Sequence, residues 1–281
     1  MVIAILFVIA SIGLPVIAAA KKSAQQQACL ANFLSAWQSS GLYIADYDDR
    51  FMLADTDPQN MNSRYDRTWV QLLLPYGSSI DVFKCPGDFS QRPKTEALFD
   101  EDLVPGDTIS RYYQLSQLSN IGYNSQYLAP ILKTPNQWMA LPRASTEMSA
   151  PSDTLQFVDT VHDIRDGRPI GGGNYLVVPP CRFALTEQGL QDTFIDSMSQ
   201  VLVFSPFDGW SQPGTGSTAP ADFDGQWYGG AWPWHSQKIN VLYADGHGAG
   251  MSVGRLSEGC NFAPNWAGLI EDRAAYAWSI H

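Results

Sequence analysis

The side chains of this sequence that could do chemistry gather near its end. His235 is followed, after nine residues, by Asp245-Gly246, and His247 lies two positions beyond Asp245. A histidine with a carboxylate can act as a general base, and two histidines with an aspartate can bind zinc. The residues between them, 238–244 (KINVLYA), read as a strand ending in an Asp-Gly turn. On that reading Asp245 caps the turn and His235 bonds nearby backbone, which favours a structural role over a catalytic or metal-binding one. Two acidic clusters, Asp46/Asp48/Asp49 and Asp222/Asp224, could offer oxygen ligands to Ca²⁺. Neither completes an EF-hand loop, because the closing glutamate is missing, and solvated acidic turns fit them better. Gly171-Gly172-Gly173 is not followed by Lys-Ser/Thr, and G-x-S-x-G and H-E-x-x-H are absent. No catalytic residue is assigned, and no cofactor is expected beyond the Ca²⁺ those acids could hold.

Four cysteines, Cys29, Cys85, Cys181 and Cys260, carry the remaining chemistry. None lies in a C-x-x-C, so zinc-ribbon spacing is absent. Behind an export-type apolar segment, an even number of cysteines suits two disulfides in an oxidising compartment. Three pairings are open to them. Cys29–Cys85 with Cys181–Cys260 ties neighbouring regions, and buried free thiols are the alternative. Trp227, Trp232 and Trp234, close to Tyr228, could stack on sugars or fill a core.

These groups must be positioned by a chain of 281 residues with net charge −11 and only 17 Lys+Arg. That balance argues against nucleic acid as a partner. A composition of 45% hydrophobic and 12% aromatic residues, with nine Trp, is that of a folded protein. Residues 1–20 carry no charge and lead into Lys21-Lys22. At about 1.5 Å per residue, twenty helical residues span about 30 Å, the hydrocarbon thickness of a bilayer. Beyond them Leu30, Phe33, Leu34, Trp37, Gly41 and Ile44 recur at helical steps. One continuous helix over residues 1–46 is therefore expected, apolar all round in its first half, amphipathic in its second and perturbed at Pro15.

After it the sequence predicts a short helix at Trp69–Tyr76 and a brief strand at Asp81–Cys85. Further strands are expected over Ser119–Tyr127, Thr154–Val161, Asn174–Val178, Val201–Phe204 and Lys238–Ala244. A surface loop is expected at Ser211–Gly225. The fold class is α+β: a long N-terminal helix, then a globular head over residues 47–281 built on an antiparallel sheet.

Taken in order, several segments resemble bacterial type IV pilin-like and pseudopilin proteins, which begin with a prepilin-type helix and carry an H-X9-DG element. The apolar helix with its proline comes first. Cys29-Leu30-Ala31-Asn32-Phe33-Leu34 is similar to the family's C-x-N-L stretch, and Tyr43 through Phe51 to its acidic helix-ending turn. Trp69–Tyr76, Phe83-Lys84-Cys85-Pro86, Gly122-Tyr123-Asn124 and finally His235 to Asp245-Gly246 follow. The family's basic leader, cleavage-site glycine and early glutamate are absent ahead of Pro15, so a truncated or late start is expected, with an unprocessed variant as the alternative, and leader cleavage of this chain as written stays an open question. Lys21-Lys22 would by themselves hold the head in the cytoplasm, whereas the cysteines suit an exported head.

The resemblance implies a non-enzymatic structural subunit of a cell-surface or extracellular filament, held in the inner membrane before assembly. Its partners would be copies of itself and the pilus or secretion assembly machinery. The packing surface would be the first half of the helix, with Ile3, Ile5, Ile9, Ile12, Gly13 and Pro15 among its residues and small side chains such as Ala4, Ala10 and Ser11 allowing close approach. Two other readings remain: a membrane-tethered protein that binds glycan or a surface, and a secreted enzyme whose signal peptide is cut near Ala18-Ala19-Ala20.

Overall fold

The computed structural model describes residues 2–60, 63, 65–90, 92, 104–165, 168–194, 202–203, 210, 227–263 and 266–280. For some of these, among them residues 2–10, 12 and 227, only the backbone is described. Asp222, Asp224 and the expected loop at Ser211–Gly225 lie outside the described residues, as do the side chains of Ile3, Ile5, Ile9 and Ile12.

One unbroken helix, α1, runs over Val2–Asp46 with Pro15 inside it. Its 45 residues make it about 68 Å long. Where its first half is described, large apolar side chains stand in the open: Leu14, Val16 and Ile17 are 67%, 62% and 66% exposed. Among the described residues no helix is long and apolar enough to cross a membrane.

The second half of α1 lies in the main core through Phe33, Ala36 and Tyr43, with Cys29, Ser39 and Ser40 also buried. This stripe is rotated from the expected one. Leu34 is 41% exposed and Gly41 is exposed, while small Ala36, Ser39 and Ser40 face inward. The reason is close approach, since small inward residues let the helix axis settle near the sheet.

The remaining elements are short. Helix α2 (Trp69–Leu73) is started by a capping box. Thr68 accepts the Gln71 amide, and the Gln71 side chain accepts the Thr68 amide, a device worth about 1 kcal/mol. Leu74–Tyr76, with Pro75 inside, ends the segment as a 3₁₀ turn. Ile80–Phe83 is also a 3₁₀ turn rather than the expected strand, because Val82 N–H bonds Ser79 O and Lys84 N–H bonds Asp81 O. Then come α3 (Tyr113–Gln117), β1 (Ile121–Tyr123), α4 (Ser125–Leu128), β2 (Ile131–Lys133), β3 (Trp138–Ala140), β4 (Leu155–Asp159), β5 (Asp163–Arg165) and β6 (Arg168–Ile170). They are followed by β7 (Cys181–Thr186), β8 (Gly189–Asp192), β9 (Leu202–Val203), β10 (Ile239–Tyr243), β11 (Gly248–Met251), β12 (Cys260–Ala263) and β13 (Trp266–Ile270).

The central sheet is antiparallel in the order β1-β4-β10-β11, and α1 packs on β10 and β11. A second sheet, β12-β13-β7-β8, contains one parallel pair, β13 with β7. The fold is thus α+β with largely antiparallel sheets. Residues 174–178 do not form the expected strand. They make one parallel bridge, Tyr123 with Leu176, whose bonds run from Tyr123 N–H to Tyr175 O and from Val177 N–H to Tyr123 O. Beneath the helix, Trp69 packs within 5.1–5.6 Å of the Phe157, Phe83 and Tyr123 rings, and all four side chains are at most 1% exposed.

Both disulfides of the chain cross elements. Cys29–Cys85 ties α1 to the turn after Phe83. Cys181–Cys260 links β7 to β12 across the intervening strand β13. It passes over Gly268, where a Cβ would stand 2.7 Å from Cys181 Sγ.

Candidate functional site

The strand β10 positions both halves of the H-X9-DG element, one at each end. At its start His235 and Lys238 exchange backbone bonds around Ser236 and Gln237, whose φ of 51° and 69° give the primed hairpin geometry. This turn leaves the His235 ring buried at 5% exposure. Asp159, at the end of β4, is fully buried, and its Oδ2 accepts the Asn240 amide at 2.7 Å. Cys29 comes from α1. Cys85 comes from a turn in which Asp88 N–H bonds Cys85 O, Asn120 Oδ1 accepts the Cys85 amide, and Gly87 N–H points at Cys85 Sγ at 3.3 Å.

These four side chains meet. Cys85 Sγ is 3.3 Å from His235 Nε2, His235 Nε2 is 3.7 Å from Asp159 Oδ2, and Cys29 Sγ is 3.8 Å from Asp159 Oδ1. One ligand atom from each residue lies within 4.8 Å of the others, and among the described residues no other three His, Cys, Asp or Glu side chains converge in this way. Val161, Ile164 and Trp234 wall the cluster with apolar surface. Gly87 is required beside it, because a Cβ there would meet His235 Cε1 at 2.7 Å. Burial pushes the Asp159 carboxyl well above the usual carboxylate range, with the Asn240 amide pulling the other way. Burial also holds the His235 imidazole below its ordinary value. The pair is therefore set toward its neutral forms, and the only basic group within ion-pair distance of Asp159, among the described residues, is His235.

The other end of β10 holds Asp245, Gly246 and His247. Asp245 Oδ1 accepts both the amide of His247, at 3.1 Å, and its ring Nδ1, at 2.7 Å, in an exposed turn. The imidazole and the two amides hold the Asp245 carboxyl below its usual range against the opposing effect of burial, the largest single influence. His235 and Asp245 are separated by the length of β10, about 16 Å for its five residues, so they form neither a catalytic pair nor a metal cluster with His247. Gly246 has φ +93°, and the Trp37 ring of α1 occupies the space its Cβ would need, at 2.7 Å. The indole N–H of Trp37 donates to Ala244 O at 2.9 Å. Two positions on, Gly248 faces Leu30, and two further, Gly250 faces Gln26. Three glycines in alternation therefore form a rail under α1.

The remaining expected sites are placed apart. Asp46 accepts the Tyr76 hydroxyl, and Asp48 and Asp49 occupy left-handed positions in the exposed turn that ends α1. Gly171 and Gly172 make a positive-φ turn, and Gly173 abuts the Ser119 and Asn120 backbone. Trp234 is buried at 5%, its indole N–H bonded to Thr160 O, and Trp232 is partly buried beside it. Asp159 and the glycine rail escaped the sequence reading. The first has a signal, a lone carboxylate closing the apolar run LQFVD, and so has the second, the alternation G-x-G-x-G after Asp245. Comparison with protein-family models, curated proteins and solved structures gave no match.

Proposed function

We propose that this chain is a structural subunit of a pilin-like filament, packed against copies of itself through the first half of α1 and held by that half in the inner membrane before assembly. The observation that carries the reading is one helix with two environments. Its second half is fastened to the head by a disulfide, by the glycine rail and by the Gln156–Ser40 bond. Its first half, where its side chains are described, exposes Leu14, Val16 and Ile17. Leaving such side chains in water forgoes roughly 1–2 kcal/mol each. Copies of the same helix, or lipid, relieve that cost, and the chain's acidity leaves nucleic acid aside as a partner.

The test is Val16→Asp and Ile17→Asp in cells that make the protein, with negative-stain microscopy of surface filaments and fractionation of the subunit. Filaments should be lost while the head keeps its near-UV circular dichroism. Undiminished filaments would refute the reading. A tethered glycan-binding role finds little support in a Trp cluster whose Trp234 is buried among Cys29, Cys85 and Val161.

A further inference from the structure

The four donors around His235 suit a metal ion. In a tetrahedral zinc site, with bonds of about 2.3 Å to sulfur and 2.0–2.2 Å to nitrogen and oxygen, the ligand atoms lie about 3.4–3.8 Å apart. Here Cys85 Sγ lies 3.3 Å from His235 Nε2, His235 Nε2 3.7 Å from Asp159 Oδ2 and Cys29 Sγ 3.8 Å from Asp159 Oδ1, and one ligand atom from each residue lies within 4.8 Å of the others. Side-chain rotation at two cysteines whose Cα atoms are 5.3 Å apart supplies the sulfur–sulfur edge once the S–S bond is open.

We propose that the dithiol form of this chain binds one zinc-class dication through Cys29 Sγ, Cys85 Sγ, His235 Nε2 and the Asp159 carboxylate. Two sulfurs, a nitrogen and an oxygen favour Zn²⁺ or Co²⁺ over Ca²⁺ or Mg²⁺. A dication also supplies the positive charge that the buried Asp159 otherwise lacks. The Gly87 amide at Cys85 Sγ is an outer-shell donor of the kind that steadies a thiolate ligand, and the Asn240 amide does the same for Asp159.

Metal and disulfide exclude each other. The dithiol form is the one in which the chain is synthesised. On oxidation the two thiolates pass an electron pair to a disulfide of the oxidant class, which leaves as two thiolates, and Zn²⁺ is released as Cys29–Cys85 forms. The ion thus gathers α1, the Cys85 turn, β4 and β10 before the covalent bond replaces it.

The test uses the full chain in detergent, reduced anaerobically with a phosphine, and Co²⁺ as the probe. One equivalent should produce tetrahedral d–d bands and a thiolate-to-cobalt charge-transfer band, both removed by Zn²⁺. His235→Gln and Asp159→Asn should each weaken binding by at least about tenfold. A second measurement needs no variant: Zn²⁺ should slow alkylation of Cys29 and Cys85, read by peptide mass spectrometry, and not that of Cys181 and Cys260. Absence of the bands, undiminished affinity in both variants, or equal alkylation with and without Zn²⁺ would overturn the proposal. Each outcome is independent of whether filaments form.

Discussion

Replacing Gly246 by alanine puts a methyl group where the helix already sits. The backbone there has φ +93°, where an L side chain costs about 1–2 kcal/mol. The new Cβ would also stand 2.7–2.8 Å from three atoms of the Trp37 ring. A ring fixed by its bond to Ala244 O cannot retreat freely, and overpacking of this kind costs about 1–3 kcal/mol. The two effects together give about 3 kcal/mol, or a fall in Tm of roughly 6–12 °C for a chain of this size. Gly248→Ala is the internal control: its φ is ordinary and its Cβ would come no closer than 3.3 Å to the Leu30 Cδ2 methyl and 3.6 Å to Leu242 Cδ1 and Val241 O, so it should cost about 1 kcal/mol or less. Thermal unfolding followed by near-UV circular dichroism measures both, and the pair Gly246→Ala with Trp37→Leu isolates the clash as a coupling of about 1–3 kcal/mol. If Gly246→Ala costs no more than Gly248→Ala, or costs the same whether or not Trp37 is present, the rail is not what seats the helix.

Two further predictions concern the head. Gly268→Ala should destabilise the second sheet by a comparable amount and lower the fraction of Cys181–Cys260 oxidised on refolding, read by thiol alkylation, because its Cβ would meet Cys181 Sγ at 2.7 Å and Asn261 O at 2.5 Å. Asp55 is fully buried, and burial, with repulsion from Asp66, raises its carboxyl from 3.8 to about 7 despite the Tyr175 hydroxyl bond. Because its folded value lies above its unfolded one, stability is greatest below about pH 4 for this group. It falls, by on the order of 4 kcal/mol, as pH rises to about 7. Asp55→Asn should flatten that slope in denaturant titrations across the window, and an unchanged slope would refute the assignment.

The helix and its change of character near Lys22 were legible in the sequence, because hydrophobicity and a period near 3.6 survive any tertiary context. Which residues it buries was legible only approximately. Apolar periodicity pointed to Leu34 and Gly41, whereas Ala36, Ser39 and Ser40 face inward, Ser39 bonded to Ser78 and Ser40 to Gln156, and Leu34 is left half outside. The strands at 155–159 and 239–243 were readable as apolar runs. The strands at 181–186, 248–251 and 260–263 were not, being short and glycine-bearing or set by long-range pairing such as Cys181 with Gly268. The turn at Ser236-Gln237 lacks the Asn-Gly or Asp-Gly that announces a primed hairpin, so nothing local showed that His235 would be folded back into the interior. Its meeting with Cys85 and Asp159 joins residues 150 and 76 positions away, a distance over which spacing within one segment carries no information.

The nine-residue interval itself has a physical origin in this fold. Two residues make the tight turn after His235, and the strand that follows carries the chain from the Cys29 level of α1 to Asp245-Gly246 at Trp37. The strand's two ends hold the helix at two points: the His235 end through the cluster containing Cys29, and the Gly246 end through Trp37. Cys29 and Trp37 are eight residues apart, about 12 Å along the helix, against about 16 Å for β10. Side chains on a strand alternate faces, so one residue more or fewer between the two points would turn one of them away from the helix. The spacing therefore measures a clasp. In a filament of the proposed kind, force on the exposed half of α1 would reach the head through these contacts together with the Asn32–Lys84 and Gln156–Ser40 bonds. The histidine end is the one reinforced by a covalent bond, and the glycine end is held by the close fit of Trp37 on Gly246 and its indole bond to Ala244 O.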